Sequence, residues 1–464
     1  MDSERPPGQD GRGPGKRLIL LLDGTWNNWE DGDNDTNIVR LEDLIIRYLE
    51  RASDRTETRE SSGDNAKVHA YRVAGGPDNY VFYQRGVGTG FNDKFSGGVF
   101  GRGLGDNVRR AYKFLSFNYE PGDQIFVFGF SRGAYTARSI VGYIAAAGLL
   151  KREVCSRENE EAAWTYYRTS PADRLPADWA ALTPHVHPRK ELRVECVGVF
   201  DTVGALGIPL EPFRIKNREK YAFHDVNLSS ITNVNLHAMA IDEHREPFGA
   251  TIWRRPRFKK YDSKTEQVWF PGAHSDIGGG YVPSGHRYVG SLPALDDITL
   301  CWIVRRLKAH YSSFPISLDD LPAVGENAAL ADQHNSRSPM YKLFPHAWRT
   351  ISNFPVGRLG LRETIVSFDR RDEAIGERVH ISALMRLGQL IRIDDGKRTF
   401  YRSRNLIEVL PRIEETYSGE PRSNGSRKRR DIHIVDWDGE LIDALECDRA
   451  LAIIQAARDR LDYM

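Results

Sequence analysis

The sequence has little cysteine, no excess charge of either sign and no long apolar run, and each shortage excludes a class of protein. Its four cysteines, Cys155, Cys196, Cys301 and Cys447, are scattered through 464 residues, which excludes a disulfide framework or a zinc-ribbon spacing. Cys196 and Cys301 fall in apolar patterns and are expected to be buried thiols. Lys plus Arg number 65 and Asp plus Glu 64, a formal charge of +1, so the charge balance predicts no nucleic-acid partner. The basic run Arg427 to Arg430 reads as an exposed linker. No stretch of about 18 apolar residues is available to span a bilayer. The opening MDSERPPGQDGRGPG lacks the apolar centre of a signal peptide, which predicts a cytoplasmic location. Release by a machine that reads no cleaved signal is compatible with that expectation. No histidine pair has zinc-protease spacing, and no segment carries a dinucleotide or P-loop fingerprint. The glycine-rich Ser96 to Gly105 lacks the Lys-Ser/Thr ending and reads as a turn that leads into a helix. No metal and no cofactor are therefore expected.

What is present is concentrated in Asp123 to Arg138, DQIFVFGFSRGAYTAR. Ile125 to Phe128 and Phe130 make the apolar, β-favouring run of a buried parallel strand. Ala134, Ala137, Ile140, Val141 and Ile144 then recur at helical spacing. Between them Gly129 and Gly133 bracket Ser131 in G-x-S-x-G, the sharp strand-to-helix turn that raises a nucleophilic hydroxyl above a sheet. The alternative is that Ser131 merely caps the helix, although a cap alone does not require two flanking glycines.

A serine hydroxyl needs a histidine to take its proton and an acid to orient that histidine. In this scaffold they follow in the chain order nucleophile, acid, base. Asp201 ends the apolar strand in ELRVECVGVFDTVG, where open α/β sheets place their sites; its alternative role is an Asx cap of the turn. His274 follows a short strand in QVWFPGAHSDIGGGY and ranks first as base, with a structural loop histidine as the alternative. Asp276 would either orient His274 or fix its loop. His380, near a helix start in ERVHISALMRL, is the alternative base. His237 and His244 lie in LHAMAIDEHREPF, a segment of helical character, and are expected to pack or pair. For the oxyanion, one backbone donor is expected from Arg132 and another from Gly24 or Thr25, after the strand RLILLLD. Asp23 would order that loop.

The blocks LLDGTWNN with Thr36-Asn37, GVGTG from Gly86, NVRRAYKFLSFNYEPGDQIFVFGFSRGAYTAR, GVFDTVGALG and QVWFPGAHSDIGGGY stand in one order from about residue 17 to about residue 310. Together they resemble the DUF2235 family of α/β-hydrolases, which includes type VI secretion phospholipase effectors of the Tle1 type. The resemblance implies a nucleophile at Ser131, an acid at Asp201, a base at His274 and hydrolysis of acyl esters, glycerophospholipids foremost. It implies a lipid or small ester substrate and contact with a membrane surface; a secretion-system or immunity partner is not resolved by the sequence. A general esterase acting on a non-lipid small molecule or a polysaccharide is the alternative activity, and a non-catalytic scaffold of hydrolase fold is the other.

The expected architecture is α/β: a mostly parallel, hydrolase-like sheet flanked by helices, with a cap insertion and C-terminal additions. Residues 1–16 read as a disordered tail, 17–310 as the core and 311–464 as an extension that supplies a lid or packing elements. The insertion at about 152–188 carries Trp164, Tyr166, Tyr167 and Trp179, which would line an acyl site or simply pack down. Within the core, helices are expected over 38–49, 104–118, 134–149 and 295–310, and 53–67 reads as exposed polar chain. Tyr341, Phe344, Trp348 and Phe354 are candidates for a pocket rim. Residues 388–410 show short β-like runs, and 433–462 ends in an amphipathic helix.

Overall fold

The computed structural model describes residues 15–24, 34–53, 55–60, 66–73, 76–86, 97–203, 228–254, 263–283, 293–337, 346–353, 363–366, 375–393, 396–418, 431–442 and 446–463. The chain opens with β1 (Arg17–Leu22), and β2 (Asn34–Thr36) leads into α1 (Asn37–Ala52). Strands β3 (Arg55–Glu60), β4 (Ala66–Arg72) and β5 (Asn79–Gln84) follow, then α2 (Gly97–Asn118), β6 (Gln124–Phe130) and α3 (Arg132–Ala147). Beyond the insertion come β7 (Val194–Phe200), β8 (Thr232–Ala240), β9 (Lys264–Phe270) and β10 (Gly279–Pro283). The last part supplies β11 (His346–Arg349), β12 (Glu363–Val366), β13 (Glu377–His380), β14 (Leu390–Ile393), β15 (Lys397–Phe400) and β16 (His433–Val435).

Among the described residues ten strands form one sheet, in the order β16-β13-β9-β8-β7-β6-β1-β5-β4-β3. From β16 to β5 every pairing is parallel, and only β4 and β3 join antiparallel. This is the expected mostly parallel sheet flanked by helices. Central parallel strands are buried on both faces, and β1 obeys that rule with every residue of RLILLL buried. Leu18, Leu20 and Leu22 point into the core under α2 and α3, whereas Ile19 and Leu21 point into the core under α1 and the helix Leu295–His310. The chain leaves β1 toward β5 on one side and is carried to β6 on the other. Such a switch of strand order opens a crevice at the carboxyl ends.

Several local expectations are corrected. The stretch read as exposed chain carries β3, which pairs with β4 from Arg55↔Arg72 to Glu60↔Lys67. The glycine-rich segment read as a turn already belongs to α2 from Gly97. The segment around His237 is not helical: Thr232–Ala240 is a strand at the centre of the sheet. In the stretch of β-like runs, β14 and β15 pair, but Arg404–Tyr417 is a helix. The insertion is helical, and Trp164 and Tyr167 pack down against Tyr143 at ring distances of 5.3 and 5.0 Å. Of the proposed tail, 1–14 lies outside the described residues, while the Lys16 backbone N–H donates to Asp123 Oδ1 at 2.7 Å. Tyr341, Phe344, Phe354 and the basic run 427–430 also lie outside them. Trp348 packs against His244 and His346. Beyond residue 310, β13 and β16 extend the main sheet.

Candidate functional site

Ser131 sits where β6 becomes α3, with φ 57° and ψ −118°. A side chain at Gly129 would stand 2.5 Å from the Gly133 carbonyl oxygen, and one at Gly133 would stand 2.0 Å from that of Leu22. The elbow closes only because both positions lack a Cβ. The serine backbone N–H donates to Phe200 O at 3.1 Å, so the turn is tied to the next strand. Its side chain makes no helix-cap hydrogen bond. Instead Ser131 Oγ lies 2.8 Å from His274 Nε2.

Asp201 ends β7 with φ 36° and is fully buried. Its Oδ2 lies 2.6 Å from His274 Nδ1, and its Oδ1 accepts the Ala240 N–H at 3.0 Å. Arg349 completes the surroundings: Nη1 donates to Oδ1 at 2.7 Å and Nη2 to Oδ2 at 2.9 Å. Burial alone would raise the pKa of this carboxyl, but the Arg349 charge and the His274 hydrogen bond outweigh it and hold it far below the usual range. A charged Asp201 makes His274 Nδ1 the donor and leaves Nε2 to accept from the serine.

His274 opens a short helix, His274–Gly278, in place of the glycine-rich loop that the sequence suggests. Phe130 and Phe248 flank its ring at centroid distances of 4.8 and 5.1 Å. Burial lowers the imidazole pKa and Asp201 raises it, with the balance below the ordinary 6.5. Asp276 takes the second of the two roles foreseen for it. It accepts the Ala273 N–H at 2.8 Å and pairs with His334 Nδ1 at 2.6 Å, fixing the turn and leaving His274 to Asp201.

The remaining candidates are placed as follows. His380 is not beside Ser131: four strand spacings, roughly 19 Å, separate β13 from β6. It caps the helix Ile381–Arg386 through the Ser382 N–H and stacks on Phe270 at 4.6 Å. Burial, then the Arg305 charge, pulls its pKa down to about 3. His237 is likewise a core residue, accepting the Thr202 N–H at 3.2 Å. Asp23 accepts from Gly24 N–H at 2.7 Å, Thr36 Oγ1 at 2.9 Å and Tyr83 hydroxyl at 2.8 Å. The Gly24 donor is therefore committed to Asp23, although a Cβ on Gly24 would stand 3.4 Å from that of Ser131. Thr25 lies outside the described residues. Arg132 begins α3, where first-turn N–H groups have no acceptor inside the helix.

Sequence reasoning missed three contributors. Glu243 accepts the His274 backbone N–H at 3.3 Å and is held by Arg245 at 2.8 Å. Their signal is an acid and a base two residues apart directly after β8. Asn37 donates to Ile277 O and Asp296 O, both at 3.0 Å, and so joins α1 to the His274 turn. It was visible only as part of a motif. Arg349 had no local signal. Among the described residues no group of three or more His, Cys, Asp or Glu gathers to hold a metal ion, and no helix is long and apolar enough to cross a membrane.

A family model described as the catalytic domain of Tle1-like phospholipase effectors of the type VI secretion system matches residues 16–306. An uncharacterized protein of Saccharomyces cerevisiae is 28% identical over 245 residues, which cover 50% of this chain and 32% of that protein. The chain thus spans about a third of the length of this curated relative. An uncharacterized Pseudomonas aeruginosa protein of known structure is similar at 16% identity and TM-score 0.35, over 68% of this chain and 48% of that one. A Tle1 effector solved with the VgrG spike of the type VI secretion system is similar at 20% identity and TM-score 0.32, over 60% and 53%.

Proposed function

The chain belongs to the family of Tle1-like phospholipase effector catalytic domains, and from that premise we propose that it is a serine hydrolase that cleaves acyl esters of glycerophospholipids. The observation that carries the reading is the unbroken chain of hydrogen bonds from Ser131 Oγ through His274 to Asp201, at 2.8 and 2.6 Å. These are the distances at which a proton is transferred.

On this reading Ser131 Oγ attacks the acyl carbonyl carbon while His274 Nε2 takes its proton. Asp201 keeps Nδ1 protonated and balances the imidazolium that forms. The negative oxygen is met by the Arg132 N–H at the start of α3. His274 then returns the proton to the leaving alcohol as the ester C–O bond breaks, and the lysolipid departs. A water, deprotonated by the same Nε2, attacks the acyl-serine and releases a fatty acid. Membership of a phospholipase effector family favours lipid over polysaccharide esters. Such a substrate brings the protein to a membrane surface.

The test is hydrolysis of vesicles of defined phosphatidylethanolamine and phosphatidylglycerol by wild type and Ser131→Ala, with products identified by mass. Wild type should release lysophospholipid and fatty acid, and the variant at least about a thousandfold less. Equal product from both would reject the reading. Cleavage of short water-soluble esters without any phospholipid product would favour the general esterase instead.

A further inference from the structure

We propose that Arg349 is a positioning residue of the Ser131 centre, supplied by a strand beyond the segment that the family model matches. The inference rests on the serine-hydrolase reading above. Asp201 has no solvent contact, and Arg349 is only 2% exposed. The two guanidinium nitrogens each take one carboxylate oxygen, at 2.7 and 2.9 Å, a planar fork-to-fork pairing that fixes the carboxylate plane. Oδ2 is shared between Nη2 and His274 Nδ1. Whatever turns the carboxylate therefore turns the imidazole that must face Ser131.

The same guanidinium donates to Ala240 O at 2.8 Å and to Phe248 O. It thus ties the end of β8 and the ring that flanks His274 to one rigid group. Strand β11 holds Arg349 in place: the Ala347 N–H donates to His244 O at 3.0 Å, and His244 Nδ1 lies 3.1 Å from Ala347 O. A lysine has one point charge and cannot hold both oxygens in a plane.

The charged and titratable groups around the pair are few. Glu243 and Arg245 pair with each other behind the His274 backbone. Asp276 and His334 pair across its turn, with Tyr281 stacked on His334. His237 faces the end of β7, and Arg138 on α3 bonds Thr251 O. Only Arg349 among the cations touches Asp201 in the described structure. Removing it leaves the full carboxylate charge on His274 and makes the imidazole easier to protonate.

The experiment compares Arg349→Met and Arg349→Lys with wild type on a short soluble ester across pH. Active centres are counted by fluorophosphonate labelling, and folding is checked by circular dichroism. For folded Arg349→Met, kcat should fall about tenfold to a hundredfold, with KM changed less than about threefold. The acidic limb of its profile should move up by about one pH unit. Arg349→Lys keeps the buried charge and serves where the Met variant does not fold; its limb should stay near wild type while kcat still falls. Folded variants with wild-type kcat and wild-type limb would overturn the proposal while leaving the hydrolase reading intact. A wild type that fluorophosphonate does not label would remove that reading, and this inference with it.

Discussion

Ser131 and Asp201 both adopt positive φ, 57° and 36°, a backbone state that costs a non-glycine residue on the order of 1–3 kcal/mol and persists only where the surroundings impose it. Here the neighbouring strands impose it through Ser131 N–H to Phe200 O and Asp201 N–H to Ala238 O. The glycines on either side are legible in the sequence because a Cβ at either would collide with backbone. Gly133→Ala should therefore destabilise by about 3 kcal/mol, seen as a lower thermal midpoint; an unchanged midpoint would mean that the elbow relaxes freely. His274 gives a second prediction at this scale. Its neutral form accepts the serine proton, and burial, opposed by Asp201, keeps its pKa below 6.5. Activity should then be lost only as pH falls below that value, and a kcat/KM profile on a soluble ester whose acidic limb lies above neutrality would contradict this.

Among the elements, those with a local signature were legible: β6, α3, α1 and the helix Leu295–His310 lie where their apolar residues place them, although Gly133–Ile144 and Leu295–Val304 are buried on every face. β8 was misread because Leu, Ala and Met favour helices, and burial between β7 and β9 overrides that preference. The start of α2 was misread because its glycines resemble a turn. At Gly105 the reason for glycine is space, since a Cβ there would stand 3.3 Å from the Trp164 ring. The join between α1 and the His274 turn had no signal beyond the pair Thr36-Asn37, yet the Asn37 amide carries it together with the Thr36↔Gly279 pairing. Asn37→Ala removes one buried donor from the carbonyls of Ile277 and Asp296, which keep the Thr299 hydroxyl at 2.6 and 3.0 Å. The expected cost is about 1–2 kcal/mol, with a matching loss of kcat as the turn loosens. Thermal melting and steady-state rates on one preparation would check it; wild-type values for both would show that the join is dispensable.

At the scale of the whole molecule, the sheet and the Ser131–His274–Asp201 arrangement could be anticipated because each part announces itself at the end of an apolar strand. Arg349 could not, because it lies 148 residues from Asp201 and no local pattern encodes that pairing. The same holds for β13 and β16, four and three residues long, whose place in the sheet is set by β9 and by a separate apolar cluster. That sheet buries His237 and His380 uncharged. Burial, aided by Arg138 and Arg305 respectively, lowers each pKa to about 3. The unfolded chain takes up their protons near 6.5 while the folded chain does not, so stability is full above 6.5 and falls as pH drops toward 3. At pH 5 the loss is on the order of 2 kcal/mol for each histidine. His380→Asn, which preserves a helix cap, should melt with a flatter dependence on pH; an unaltered slope would remove His380 from the account. The central claim, that Ser131 is activated by His274, is tested most directly by fluorophosphonate labelling with peptide mass mapping. The account predicts one adduct on the Ser131 peptide in wild type, and labelling of His274→Ala slowed by at least about a thousandfold. An adduct elsewhere, or equal labelling of the two proteins, would contradict it.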